Sequence, residues 1–334
     1  TPNPKPQTPN PKPQTPVDPE LGSSPNSHRG INIIMDPTVF IQGISNLLSP
    51  DQATREHAQK LLTSLGEKEG FVQAIINLLL NPSSGITESQ KIGLAVLLKD
   101  RVCADGAPEL PPSDISAMKT HLFRAIGLCR ESSPVWKTLE EPLFKIICKD
   151  YPDKWPELLP TIVQHLSDSN IKDHQGQLFG TLILARNTIG AYELILGEER
   201  TQLTAVLTAV LPPLLELSKR CLEGGSPIEL YYLKICIQSV EMSMQVELDK
   251  YYTNETLLSW VGILSSALKV QTQGGEDHAS WKVRKTALRL CGKLFHYLSV
   301  ISAYRKSPTI VAALKALSEK IMNIVQPLCE FIDS

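Results

Sequence analysis

Apolar side chains in residues 140–170 recur at helical spacing in two runs, which are separated by a short polar break. Tyr151-Pro152 predicts the end of the first helix, since proline lacks an N–H group and disfavours helix in the residue before it. Asp153 is predicted to cap the second helix, and Pro156 is predicted to lie in its first turn. The two apolar stripes can then face each other, so this stretch predicts one antiparallel helix pair.

The same plan of two helices and a polar break recurs along nearly the whole chain. The other predicted pairs are 49–65 with 71–80, 87–102 with 113–128, 171–195 with 201–222, 228–244 with 254–268, and 280–300 with 309–332. A new pair begins every ~40 to 50 residues, which is the period of HEAT-type arrays, and no segment has a strand pattern. The predicted fold class is therefore all-α: an α-α superhelix, or HEAT-repeat solenoid, of about six helix pairs.

Local signals add three expectations to this plan. Ser49 is predicted to cap the helix that follows it. Pro212 and Pro213 are predicted to kink or break the helix that contains them. The final helix, 309–332, carries an apolar face, whereas the end of a free solenoid needs a polar outer face. The array is therefore predicted to be truncated at its C-terminus.

Residues 1–34 differ in composition from the rest of the chain. They open with two copies of the unit TPNPKPQ, which is rich in proline and has no apolar side chain. Such a segment is predicted to be extended and disordered. Met35 has the position of an initiator methionine, which favours a vector-derived leader or linker over a native tail or a proline-motif ligand. The helical array is accordingly predicted to occupy residues 35–334.

Composition narrows the class of protein. No apolar run reaches the roughly 20 residues that span a bilayer, and the N-terminus lacks the apolar core of a signal peptide, so a soluble intracellular protein is expected. The 7 cysteines lie scattered without a C-x-x-C pair, which predicts buried free thiols rather than disulfides or a zinc site. The net charge of −2 gives no basic footprint for nucleic acid, and it favours a protein partner.

Motifs for catalysis or cofactor binding are missing from the sequence. It has no phosphate-binding glycine loop, HExxH, GxSxG or paired-cysteine motif, so we predict no cofactor, no metal site and no enzymatic activity. His121 and His296 lie among apolar neighbours and are predicted to be satisfied structural residues. Tyr151, Pro152 and Trp155 are predicted to form a structural turn motif, with the indole packed across the turn rather than binding a ligand.

Two groups of charged residues have competing interpretations. Lys99 and Arg101 end a predicted helix, where stabilisation of the negative helix end competes with a partner contact. A second, basic group does not align on one helix face, which favours a solvated surface over a binding patch. Its members are Lys282, Arg284, Lys285 and Arg289.

A family resemblance is carried by a series of motifs in a fixed order. The first are MDPTVFIQGISNLLSPDQATREHAQKLL, GFVQAIINLLL and IGLAVLLKDRV, followed by EEPLFKIICKDYPDKWPELLPTIVQHLSDSN, NETLLSWVGILSSAL and SWKVRKTALRLCGKLFHYL. Together they resemble the importin-beta superfamily of nuclear transport receptors (karyopherins), and within it the subgroup of importins seven and eight. The resemblance runs from Met35 to about residue 300, and residues 35–110 are similar to the superfamily's N-terminal domain.

The sequence departs from the family pattern at two places. Asp100 stands where the family usually has asparagine, and Ala104-Asp105-Gly106 replaces a stretch that usually contains a tryptophan. Both departures lie around the end of one helix, so they leave the expected fold unchanged.

The resemblance implies a nuclear transport receptor of cytoplasm, nucleus and nuclear pore. It implies binding of the GTP form of the GTPase Ran by the second helices of the first repeats, with protein cargo and phenylalanine-glycine nucleoporins as further partners, and cargo release driven by RanGTP. It implies no direct nucleic-acid contact and no membrane insertion. On helices 71–80, 113–129 and 155–167, the polar candidates for the Ran contact are Gln73, Asn77, Lys119, Arg124 and Gln164.

Two other functions remain compatible with the sequence. A generic HEAT-repeat scaffold shares the architecture but lacks the ordered N-terminal motifs. An export receptor of the same superfamily shares Ran binding but requires Ran and cargo together.

Overall fold

A computed structural model describes residues 36–129, 133–168, 175–192, 200–244, 254–270 and 278–305, together with Val311, 315–316, 318–319 and 322–323. The chain divides into two units, Thr1–Ile33 and Ile34–Ser334, and every described residue lies in the second. Within these ranges the chain is helical and contains no strand.

Thirteen α-helices are numbered here in chain order within the described ranges. Two of them, α5 and α6, are joined by a π-helical turn at Met118–Leu122, and we call the three segments together the α5–α6 helix. The bounds are α1 Pro37–Leu47, α2 Gln52–Gly66, α3 Phe71–Leu80, α4 Glu88–Cys103, α5 Pro112–Ala117, α6 Phe123–Gly127, α7 Pro134–Asp150, α8 Leu158–Ser167, α9 Gln175–Gly190, α10 Arg200–Gly224, α11 Pro227–Ser243, α12 Asn254–Lys269 and α13 His278–Arg305.

The helices pack in two rows. In the first row α4, α7, α9, α11 and α13 each contact the next. In the second row α3 contacts the α5–α6 helix, α8 contacts α10, and α10 contacts α12, while α6 and α8 are both in contact with α9. This pairing confirms the predicted all-α, HEAT-type fold. Of the sixth predicted pair, only α13 is described along its length.

The core is continuous along the first row. Each of its five helices buries an apolar side chain completely: Leu98, Leu143, Ile183, Cys236 and Leu290. Full burial of one such side chain stabilises the fold by about 1.5–3 kcal/mol. Consecutive helices of the array therefore share one hydrophobic interior, and neighbouring repeats hold each other in place.

Two predicted helix starts are wrong by a few residues. The cap of α2 is Asp51 rather than Ser49, because the Asp51 carboxylate accepts hydrogen bonds from the Thr54 N–H at 2.8 Å and the Thr54 hydroxyl at 2.6 Å. Helix α8 begins only at Leu158, so neither Asp153 nor Pro156 has its predicted role.

The turn before α8 explains that later start. Tyr151 ends α7 as predicted, and backbone bonds then close a series of tight turns, including Lys154 N–H to Asp150 O at 2.7 Å and Leu158 N–H to Trp155 O at 3.2 Å. Trp155 is buried within these turns. The buried indole of Trp155 holds the chain in turns, so regular helix begins only after this residue.

The proline pair at 212–213 does not break its helix, because α10 runs without interruption from Arg200 to Gly224. The predicted break is therefore wrong, while the alternative, a kink, stays a prediction. Val210 and Leu214 are fully buried on either side of the prolines. Tertiary packing of this apolar face therefore outweighs the lost backbone hydrogen bonds.

Helices α6 and α9 approach each other through backbone atoms. Gly127 of α6 lies against Gly176 and Gly180 of α9. A Cβ atom added to Gly127 would lie 1.9 Å from the Gly176 carbonyl oxygen, and one added to Gly180 would lie 1.9 Å from the Phe123 carbonyl oxygen. Only hydrogen side chains fit at this crossing, which sets the distance between the second and fourth repeats.

Helix α3 receives its N-terminal cap from the next repeat. Its own N-cap residue, Gly70, has no side chain to accept a hydrogen bond. The buried carboxylate of Asp114, on α5, instead accepts from the Gln73 N–H at 3.1 Å. The first amide groups of α3 therefore depend on a residue 41 positions further along the chain.

We expect Asp114→Ala to lower the free energy of unfolding by about 1–2 kcal/mol, the usual cost of losing an N-cap. Urea unfolding monitored by circular dichroism would measure it. An equal loss for Asp51→Ala, which removes the cap of α2 from within the same repeat, would show that trans capping carries no extra coupling between repeats. Asp114→Ala should also broaden the urea unfolding transition, since it weakens the contact between two neighbouring repeats.

Burial raises the pKa of Asp114 above the ordinary carboxyl value, although the Gln73 N–H opposes this effect. Because the folded pKa is the higher one, the folded state holds the proton more tightly than the unfolded state. The contribution of Asp114 to stability is therefore largest below pH ~4 and falls as pH rises through the raised pKa. We expect the difference in unfolding free energy between the parent and Asp114→Asn to shrink as pH rises from ~4 through the raised pKa of Asp114. A difference that does not change with pH would contradict a raised pKa for Asp114.

Candidate functional site

The five candidate residues for a partner contact lie on three second-row helices. Gln73 and Asn77 are exposed on α3, Arg124 is exposed on α6 and Gln164 is exposed on α8. Lys119 lies in the π-helical turn of the α5–α6 helix and is only partly exposed. Four of the five therefore present polar groups to solvent.

Two of these residues meet in a groove of about 910 Å³ between the α5–α6 helix and α8. Lys119 and Arg124 both line it, whereas Gln73, Asn77 and Gln164 lie outside its lining. Its walls are partly apolar, from Ile115, Phe123 and Trp155. The groove can therefore receive a side chain with both apolar and polar parts.

Lys119 is held at the floor of the groove by three groups. Its Nζ lies 2.7 Å from Asp150 Oδ2, donates to the Lys154 carbonyl oxygen at 2.7 Å, and lies 5.8 Å from the centre of the Trp155 ring. The Lys119 side chain is 17% exposed and that of Asp150 only 3%. Lys119 thus joins the α5–α6 helix to the turn motif Tyr151, Pro152 and Trp155 predicted from the sequence.

His165 lines the far end of the groove. Burial lowers the pKa of His165, and the nearby Arg124 cation lowers it further. Its Nδ1 lies 3.3 Å from Thr181 Oγ1, and its ring lies 5.9 Å from that of Phe123. A neutral imidazole at pH 7 follows, so the exposed positive charge here comes from Arg124 and Lys154.

No described residues form a constellation for metal binding or membrane insertion. Within the described ranges, no group of three or more His, Cys, Asp or Glu side chains is placed to hold a metal ion. In the same ranges no helix has the length and apolarity that a bilayer crossing demands.

The cysteines and histidines follow the predictions in part. None of the six described cysteines forms a disulfide, and Cys221, Cys236 and Cys291 are buried while Cys148 is exposed. Burial raises the pKa of Cys236 to about 12 and that of Cys291 to about 11, which makes these thiols unreactive. His296 is exposed, and the buried Nδ1 of His121 has no hydrogen-bond partner, so the prediction of satisfied structural histidines is wrong.

A set of polar contacts that sequence reasoning missed crosses the first row. The Arg186 guanidinium on α9 contacts Glu140 of α7 and donates to Gln238 Oε1 of α11 at 3.1 Å. Glu241 of α11 accepts from Arg289 Nε at 2.9 Å and lies 2.8 Å from Lys293 Nζ, both on α13. We call these six residues the polar ladder: Glu140, Arg186, Gln238, Glu241, Arg289 and Lys293.

The sequence does contain a signal for the polar ladder. Arg186 is the only charged residue in 181–190, where every other side chain is buried. An arginine inside such a run needs an acidic or amide partner. The predicted solvated face is confirmed for Arg289, which is 53% exposed although it is paired with Glu241, and is wrong for Arg284, whose Nε is buried.

The charged residues at the end of α4 have separate partners. Lys99 Nζ lies 2.7 Å from Glu141 Oε2 of α7. Arg101 donates from Nε to the Gly66 carbonyl oxygen at 2.8 Å and from Nη1 to the Pro108 carbonyl oxygen at 2.7 Å. Arg101 therefore stabilises neighbouring loops rather than the end of its own helix.

Comparison with known proteins gives consistent relatives. No family model matches the chain. The chain is 21% identical over 266 residues to an importin beta-like SAD2 homolog of Arabidopsis thaliana, which covers 74% of this chain and 25% of that protein. It is 24% identical over 182 residues to importin-8 of Mus musculus, covering 51% and 17%, and 24% identical over 186 residues to exportin-2 of Xenopus laevis, covering 54% and 18%.

A solved structure shares the fold of this chain. The exportin Cse1 in its cargo-free, cytoplasmic state matches with a TM-score of 0.61 and 14% identity, over 88% of this chain and 35% of that one. In sequence, the chain is similar to proteins named as importins and exportins, at 21–24% identity. The chain spans between 17% and 25% of the length of these three relatives. Its groove and polar ladder are therefore features of a segment that corresponds to part of those proteins.

Proposed function

We propose that the chain is part of a nuclear transport receptor that binds the GTP form of Ran through α3, the α5–α6 helix and α8. Similarity to proteins named as importins and exportins carries the proposal. Support comes from the exposed polar positions on these three helices: Gln73, Asn77, Arg124 and Gln164. A receptor of this kind works in cytoplasm and nucleus and passes the nuclear pore.

Protein cargo and phenylalanine-glycine nucleoporins are the other partners that we propose. First-row helices offer partly exposed apolar side chains for nucleoporin phenylalanines, among them Val96 on α4 and Phe144 on α7. Repeats that contact only their neighbours can rotate slightly at each junction, and these rotations add along the array. If Ran and cargo favour different arrangements of the repeats, binding of one weakens binding of the other.

Calorimetry with Ran, loaded with a non-hydrolysable GTP analogue or with GDP, tests the proposal. We expect binding of the GTP form alone. Arg124→Glu should weaken it roughly tenfold or more, because a reversed charge faces the same partner group. Lys145→Glu, on the exposed side of α7, is the matched control and should leave the affinity unchanged. Equal binding of both nucleotide forms, or equal effects of the two substitutions, would contradict the proposed site.

The likeness to exportin-2 and to Cse1 favours one second candidate, an export receptor. Import and export receptors differ in the sign of the coupling between Ran binding and cargo binding. A cargo bound in the absence of Ran and displaced by its GTP form would indicate import. A cargo bound only when the GTP form of Ran is present would indicate export.

A further inference from the structure

The polar ladder links four consecutive first-row helices, and every one of its contacts joins two different helices. Arg186 on α9 is shared between Glu140 of α7 and Gln238 of α11, while Glu241 of α11 is shared between Arg289 and Lys293 of α13. A change in spacing at any of the three junctions therefore alters at least one polar contact. Pairs within a single helix, such as Lys219 with Glu216 on α10, lack this sensitivity.

Burial makes the contact between Arg186 and Glu140 stronger than an ordinary surface pair, whereas Arg289 and Lys293 are 53% and 52% exposed. Glu241 is buried, and Arg186 and Glu140 are half-buried. Charges in such positions are screened less by salt than exposed pairs. Separating them would leave buried charge without a partner, so the intact contacts favour the present spacing of the helices.

The space beside the ladder, about 440 Å³, is lined by Glu140, Arg186, Glu241, Arg289 and Lys293. Three cations and two carboxylates already neutralise most of one another there. The surplus of one positive charge is a weak basis for a bound anion, because both carboxylates would repel it. The arrangement fits an internal contact between helices better than a ligand site.

One group in this region is left unsatisfied. The buried Nδ2 of Asn187, which follows Arg186 and lines the same space, has no hydrogen-bond partner. An unpaired buried donor is costly. The present arrangement therefore pairs Arg186 and leaves the neighbouring amide group of Asn187 unpaired.

We propose that the polar ladder is a releasable clasp that fixes the spacing of α7, α9, α11 and α13. When the repeats rotate apart, its contacts break junction by junction, and the array relaxes to a more open arrangement. Loss of one ladder charge releases the clasp without unfolding the helices. The proposal does not depend on Ran binding, and its test uses no partner.

Charge reversal in the whole chain tests the clasp. Glu140→Arg and Arg186→Glu, singly and combined, are compared by small-angle scattering and by hydrogen exchange of the α9 and α11 amides. We expect each single change to raise the radius of gyration. Exchange of the α9 and α11 amides should become roughly three- to tenfold faster, and helix content should stay unchanged. The combined change should restore both values. Lys219→Glu, within one helix, is the matched control and should alter neither.

Three results would overturn the proposal. A lowered unfolding midpoint in the single variants, with an unchanged radius of gyration and exchange rate, would make the ladder a static stabilising contact. A double variant that does not recover the radius of gyration and exchange rate of the parent would show that the effects do not arise from the pair Glu140 and Arg186. If the single variants do not fold, the milder Glu140→Gln decides, since it removes one ladder charge and keeps the side-chain shape: an unchanged radius of gyration and exchange rate would exclude a releasable clasp.

Discussion

Gly180→Ala should lower the free energy of unfolding by about 3 kcal/mol or more, the upper range for overpacking a buried position. The added methyl group would lie 1.9 Å from the Phe123 carbonyl oxygen, and this atom belongs to the backbone of α6. A flexible side chain could move aside, but a backbone carbonyl inside a helix cannot move without shifting the helix. The strain therefore has to spread into the α6 and α9 packing. Urea unfolding of the full chain would measure the loss.

Gly292→Ala is the control for this change. Gly292 also lies inside a helix, α13, but an added Cβ atom has no neighbour within 4 Å. Alanine there should stabilise the protein by about 0.5–1 kcal/mol, because it reduces the backbone freedom of the unfolded chain. Equal effects at the two positions would show that intrinsic helix propensity, rather than close backbone contact, governs Gly180.

Lys119→Met should lower the free energy of unfolding by about 3 kcal/mol, because it strands the buried Asp150 carboxylate. Removal of both charges in Lys119→Met with Asp150→Leu should recover most of the loss, since no unpaired charge then remains buried. The coupling energy between the two sites follows from a double-mutant cycle of urea unfolding.

Lys99→Met provides the comparison for Lys119. Lys99 and Glu141 are also 2.7 Å apart, but their side chains are 39% and 55% exposed. We expect this exposed pair to contribute less than about 1 kcal/mol. If Lys119→Met and Lys99→Met lower the free energy of unfolding by the same amount, burial of Asp150 does not determine the strength of the Lys119 contact. Since Lys119 variants change stability, Arg124 is the better position at which to test partner binding.

The helix pairs could be predicted because each depends on signals within a few residues. The apolar stripe of α7 and its end at Tyr151 are local properties, and both agree with the structure. Burial of Trp155 was predicted for the same reason. The start of α8 was misplaced because Asp153 and Pro156 give strong local signals that the packed turn overrides.

Contacts between repeats could not be predicted from the same signals. Nothing near Lys119 in the sequence identifies Asp150 as its partner, and nothing near Gly180 identifies Phe123. Such contacts follow from how one helix pair is rotated on the next, which no local pattern specifies. For the same reason the sequence placed Lys119 and Arg124 among exposed candidates without indicating that one of them is held in an internal contact.

The capping of α3 by Asp114 limits how the chain can be divided. A fragment cut in the loop after Cys103 would contain every residue of the first helix pair, yet the amide groups at the start of α3 would lose their acceptor. Arg101 would likewise lose the Pro108 carbonyl oxygen. Modules excised or exchanged between proteins of this type should therefore end after α5, inside what the sequence period defines as the following repeat.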